Sequence, residues 1–143
     1  MIIYLDNCVL NRPFDDQSQV RIKEETKAVF EIRRRIESAL IELAWSFVID
    51  YETSRNPFAE RQREAGSWKS LSIIEIGPSN KILAKAIGLR SFGLKEIDAL
   101  HISCALEAKS SYFITTDDAI LKKAKAVQGL NVVSPIDFLK EIR

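Results

Sequence analysis

The sequence predicts a single α/β domain spanning residues 1–143, a sandwich with helices on both faces of a mostly parallel, roughly five-stranded sheet. Three observations predict it. Short apolar runs recur at residues 2–5, 39–45, 71–76, 112–115 and 130–133, each about the length of a buried strand. Between successive runs lie stretches whose apolar residues repeat at helical spacing. With 143 residues, 46% hydrophobic and 29% charged, the chain has the apolar content for one core, and no repeat, linker or low-complexity segment divides it.

Ile2, Ile3, Tyr4 and Leu5 form the first run and deliver Asp6 at its C-terminal end. After a turn through Asn11, Arg12 and Pro13, the residues Ile22, Val29, Ile32 and Ile36 mark one face of an amphipathic helix. Arg21, Lys23, Glu24, Lys27, Glu31 and Arg33 to Arg35 fall largely on its other side. Beyond the strand at 39–45, Ser46 is placed to cap a helix carrying Phe47, Val48, Tyr51 and Glu52, which Pro57 discourages from continuing. Residues 58–69 read as a charged helix, and the strand at 71–76 is closed by Gly77 and Pro78.

A helix over 80–87 is expected to end at Gly88, and from Lys95 onward Ile97, Leu100, Cys104 and Ala108 mark the apolar face of another. The strand at 112–115 runs into Thr116, Asp117 and Asp118, after which Ile120, Leu121, Ala124 and Val127 follow a helical face as far as Gly129. The last strand meets Ser134 and Pro135, a cap followed by a first-turn proline, so a short helix closes the chain.

Several function classes drop out. No stretch approaches the roughly 20 apolar residues of a membrane span. The segment Met1 to Asp6 lacks the basic start and long apolar run of a secretory signal, so a cytoplasmic protein without membrane attachment is expected. Cys8 and Cys104 lie in apolar surroundings suited to reduced thiols, and with the one histidine, His101, they show no zinc-finger spacing. No nucleophile elbow accompanies His101, and Gly66, Gly77, Gly88, Gly93 and Gly129 form no phosphate-cradling pattern. A net charge of +1 leaves nucleic-acid contact to local basic clusters. Carboxylate chemistry remains.

Four acids stand where packing needs no short polar side chain: Asp6 after the first strand, Glu52 inside a helix, Asp98 near a helix start, and Asp117 after a later strand. Taken singly, Asp98 or Asp117 reads equally well as a helix cap, and Glu52 as part of a solvated face. Asp6 differs, because a charge directly after a buried central strand is costly unless compensated. Functional groups of open α/β sheets collect beyond the C-terminal strand ends, and Asp6 and Asp117 both occupy such positions. Like charges gathered there repel unless a cation sits among them. Oxygen donors without histidine select Mg2+ or Mn2+, which can generate hydroxide and stabilise a phosphodiester under in-line attack.

The segments Ile3-Tyr4-Leu5-Asp6-Asn7, Asp50-Tyr51-Glu52, Glu96-Ile97-Asp98-Ala99-Leu100-His101-Ile102 and Phe113-Ile114-Thr115-Thr116-Asp117 resemble the four acidic motifs of PIN domains, in the family's order. The resemblance covers essentially the whole chain, and its Asp-Ala-Leu-His and Thr-Thr-Asp blocks are the most specific parts. It implies a PIN-like α/β/α sandwich and a metal-dependent ribonuclease, very often the toxin of a prokaryotic toxin-antitoxin pair, with a protein antitoxin that blocks the site and a common tendency to homodimerise. Carried over by position, Asp6, Glu52, Asp98 and Asp117 become the catalytic, metal-binding set for Mg2+ or Mn2+, and Thr115 its polar support. Asp118 competes with Asp117 as ligand, motif position favouring Asp117. Cys8 stands where the family usually carries a small polar residue, which leaves one supporting hydrogen bond open.

Other residues read more plainly. His101, one helical turn after Asp98, is expected as a satisfied, partly buried histidine, and Arg12 and Arg55 as solvated surface arginines. The Arg33 to Arg35 run suits a solvated helix face, Trp45 suits the core, and Trp68 is left between base stacking and core. Two rivals to the nuclease are a non-catalytic PIN-like interaction or RNA-binding module, and a phospho-acceptor receiver domain. The receiver would need an acidic pair after the first strand and a lysine after the last, where Asp6-Asn7 and Ser134-Pro135 stand instead.

Overall fold

Five parallel strands cross the computed structural model, which describes all of residues 1–143: β1 (Ile2–Leu5), β2 (Glu42–Ser46), β3 (Ile74–Ile76), β4 (Tyr112–Ile114) and β5 (Asn131–Val133). Their order is β3-β2-β1-β4-β5, with β1 in the centre. That order differs from the 2-1-3-4-5 arrangement of receiver domains. Register places Tyr4 beside Ala44 of β2 and Phe113 of β4.

Eight helices connect the strands: α1 (Asn7–Asn11), α2 (Val20–Glu37), α3 (Phe47–Ser54), α4 (Ala59–Lys69), α5 (Asn80–Leu89), α6 (Glu96–Glu107), α7 (Asp118–Lys123) and α8 (Pro135–Glu141). Successive strand residues face opposite sides of a sheet, so Tyr112 and Phe113 divide the layers. Tyr112 meets Phe138 of α8 edge to face, whereas Phe113 stacks on Tyr4, whose other neighbour is His101 of α6. Helices α8 and α2 therefore cover one face, and α6 with α5 the other. Ile3, Leu5, Leu43, Trp45 and Ile102 fill the space between, each fully buried and contributing roughly 2 kcal/mol by burial.

Helix starts follow the capping residues in the sequence. Ser46 Oγ accepts from the Val48 and Ile49 amides, Ser79 from Ile82, and Ser134 from Asp137 with Pro135 in the first turn. Trp68 is resolved as core, 2% exposed under the Arg33 guanidinium. No helix is long and apolar enough to cross a membrane.

Some expected boundaries move. Gly88 does not end α5, which runs through it to Leu89, because burying Leu89 outweighs the roughly 1 kcal/mol a helical glycine costs. A short 3-10 turn over Arg90–Phe92 follows, and Gly93, at φ +86°, makes the stop. Strand β2 starts at Glu42 rather than residue 39, since Ala39 at φ +60° and Leu40, whose amide returns to Arg35 O, still terminate α2. Likewise Leu71 and Ser72 bond back to Trp68 and Lys69, which shortens β3. Helix α6 buries far more than one stripe, because it lies between the sheet, α3 and α5. Its expected contact residues Ile97 and Leu100 remain partly covered.

Candidate functional site

Strand β1 carries the first acid to the C-terminal edge of the sheet. Asp6 turns its carboxylate onto the start of α1, where Oδ1 accepts from the Asn7 amide at 2.8 Å. Its Oδ2 accepts from Thr115 Oγ1 at 2.8 Å, and the Cys8 thiol approaches the same oxygen at 3.4 Å. Asp6 is 6% exposed and is held by these neutral donors. Thr115 also accepts from the Asp117 amide at 3.0 Å, so one hydroxyl ties the first motif to the last. The hydrogen bond left open by Cys8 is made after all: burial, then the charge of Asp6, pushes this thiol up to about 12, and it stays protonated as a donor.

Glu52 projects from α3 and hydrogen-bonds His101 Nε2. The other ring nitrogen, Nδ1, is 2.7 Å from Tyr4 Oη, itself 2.6 Å from Ser46 Oγ. Facing a carboxylate, Nε2 donates, and the two hydroxyls rotate to suit Nδ1. His101 is 1% exposed. Burial acts to lower its pKa, but the Glu52 hydrogen bond and the charges of Asp6, Glu52 and Asp98 together outweigh burial and raise it. Asp6 Oδ1 stands 3.8 Å from the same Nε2, so Asp6, Glu52 and His101 bring one donor atom each within 4.8 Å of one another.

Asp98 and Asp117 add two further carboxylates whose charges act on one another. Asp98 lies in the first turn of α6, half-buried; burial, then the charges of Asp6 and Asp117, raise its carboxyl above the ordinary value. Asp117 caps α7, with Oδ1 accepting from Ala119 N at 2.8 Å and Ile120 N at 3.4 Å, which leaves the second oxygen uncommitted. Asp118 is committed elsewhere. Both its oxygens bind the Arg21 guanidinium, at 2.7 and 2.8 Å, and that hydrogen bonding holds its carboxyl below the usual range.

Of the sequence-selected acids, Asp6 and Glu52 therefore come together directly through His101, while Asp98 and Asp117 are coupled to them by charge. His101 is satisfied as expected, but it is almost wholly rather than partly buried, and it also belongs to the cluster. Arg12 is not solvated: it pairs with Asp15 and with the 2%-exposed Glu25 at 3.0 Å each. The Tyr4 and Ser46 relay and the Arg12, Glu25 and Arg21 cluster were not singled out from sequence. A signal existed for the first, a tyrosine inside an otherwise aliphatic central strand and a histidine inside an apolar helix. In the second, only Arg21 and Glu25, four apart on α2, carried a local signal, while Arg12 joins them from outside that helix.

Among Asp6, Glu52, Asp98 and Asp117, the only ion-pair partner is His101, and no lysine or arginine neutralises the group. Of these acids, Asp6 and Glu52, with His101 beside them, lie at the spacing that could hold a divalent cation, and like charges so close repel one another without compensation.

A family model described as PIN domain matches residues 3–126. A comparison with curated protein sequences returns no match. Among solved structures, the chain is similar to VapBC2 from Rickettsia felis bound to a DNA fragment from its promoter, with a TM-score of 0.57 and 19% identity over 92% of this chain and 97% of that one. A toxin-antitoxin complex from Klebsiella pneumoniae gives 0.58 and 23% over 93% and 97%. VapBC-1 from nontypeable Haemophilus influenzae gives 0.60 and 16% over 95% and 99%.

Proposed function

Because the chain belongs to the PIN domain family, we propose that it is an endoribonuclease that hydrolyses RNA phosphodiesters with Mg2+ or Mn2+ held by Asp6, Glu52, Asp98 and Asp117. The observation that carries the reading is the edge of four acids without a lysine or arginine partner. A bound divalent cation would activate water and offset charge on the phosphodiester. The protein's own part is positioning. Thr115 and Cys8 fix the Asp6 carboxylate, the Tyr4 and His101 relay fixes Glu52, and the α7 amides fix Asp117. Its fold neighbours are toxin-antitoxin proteins, which supports a toxin restrained by an antitoxin protein; we propose with it a cytoplasmic protein that works as a homodimer.

The test is cleavage of a labelled RNA with Mn2+. The wild type should cut, EDTA should stop it, and Asp6→Asn with Asp98→Asn together should abolish it while leaving the circular dichroism spectrum unchanged. Full activity in that double variant ends the reading.

A further inference from the structure

We propose that the groove beside Glu52, between α3 and α4, is the binding track for single-stranded RNA, with Tyr51 and Phe58 stacking bases and Arg55 and Arg61 holding phosphates. The inference rests on the ribonuclease reading and specifies how that site takes its substrate.

The groove has a volume of about 540 Å³, and Glu52 is part of its wall, so it opens onto the acidic edge. Its arginines differ from most others in the molecule. Arg12, Arg21, Arg33, Arg34, Arg35 and Arg90 all pair with carboxylates, whereas Arg55 and Arg61 pair with none. Instead they lie over aromatic rings: Arg55 at 5.5 Å from Tyr51, and Arg61 at 4.9 Å from Phe58 and 5.4 Å from Phe14. The side-chain hydrogen bonding of Arg61 amounts to one 3.5 Å contact with Phe14 O, so most guanidinium donors are uncommitted.

Tyr51 and Phe58 are each 52% exposed and line the same groove. Asn56 fixes the turn that presents Phe58, its Oδ1 accepting from the Phe58 amide at 3.0 Å and its Nδ2 donating to Asn11 at 3.3 Å. Unpaired guanidinium groups interleaved with exposed rings match a chain that alternates phosphate and base. The rings can be used only by bases that are not already stacked in a helix, which selects a single strand over a duplex.

The experiment measures fluorescence anisotropy of a short labelled single-stranded RNA on the full chain carrying Asp98→Asn, in EDTA, between 50 and 200 mM salt. Arg55→Ala with Arg61→Ala should weaken binding roughly tenfold to thirtyfold and flatten the log–log salt slope by about 1.4, the share of two phosphates. Tyr51→Ala or Phe58→Ala should weaken it roughly tenfold with the slope retained, the loss of one base stack. Arg34→Ala, which removes a paired arginine, should change nothing. A duplex of the same sequence and an acidic peptide should compete at least roughly tenfold less well than single strand. Absence of binding by the parent, groove variants that bind like the parent, or equal competition by duplex or peptide overturns the proposal. Cleavage by the wild type is read separately. If it cuts RNA while groove variants bind normally, the groove fails and the enzyme stands; if it cuts nothing but binding depends on the groove, the reverse holds.

Discussion

Two clusters of charge lie within one residue of each other in the chain and obey opposite rules. At Asp117 and the acids it joins, like charges are held by neutral donors and one imidazole. At Asp118 the carboxylate is clasped by Arg21, which also reaches Glu25 at 3.5 Å, while Glu25 takes Arg12 at 3.0 Å. The second cluster is matched in charge as it stands and pins α2 to the loop before α7. The first is complete only with something positive added. Charge by itself does not mark a functional site; unmatched charge that the fold takes trouble to position does.

Substitutions in the two clusters should therefore separate activity from stability. The largest effect belongs to Asp6→Asn or Asp98→Asn, each expected to lower RNA cleavage at least roughly 1,000-fold, the several kcal/mol a positioned cation supplies to the transition state. Equal loss from Glu25→Gln, measured as cleavage per folded molecule, would erase the distinction. Next comes Glu25→Gln itself. It breaks a buried ion pair and should cost about 2–3 kcal/mol in urea unfolding, less than a fully buried pair because Arg12 keeps Asp15.

A third effect is smaller and of opposite sign. The folded-state pKa of Asp98 is raised, so this group opposes folding when ionised, and its cost fades as pH falls through that raised value. At neutral pH in EDTA, Asp98→Asn should raise Tm by roughly 1–2 °C, discounted for its half exposure, and the gain should vanish at acid pH. A fall in Tm would mean the edge is not strained by its own charge. The smallest effect is that of Asp118→Asn, which breaks only an exposed pair and should leave Mn2+ affinity unchanged where Asp117→Asn weakens it.

Much of this was legible in the chain. The strand-helix alternation, the serine caps and Asp6 at a strand end all reflect short-range chemistry, read from adjacent residues. What was not legible depends on residues brought together from a distance. Tyr4 reaches His101 across 97 positions, and Arg21 reaches Asp118 across as many, with no local pattern to announce either. That second contact commits Asp118 to Arg21 and leaves Asp117 the freer carboxylate of the two. Gly88 and Ala39 show the same limit at the backbone: burial of Leu89 carried one helix past its glycine, and an alanine rather than a glycine took the left-handed turn ending α2.

The measurement that bears most directly on the central claim is calorimetric titration of Mn2+ into the metal-free wild type and into Asp6→Asn, Glu25→Gln and Asp118→Asn. Binding to the wild type that survives in Glu25→Gln and Asp118→Asn but is lost in Asp6→Asn is the predicted result. No binding to the wild type, or undiminished binding to Asp6→Asn, would contradict it.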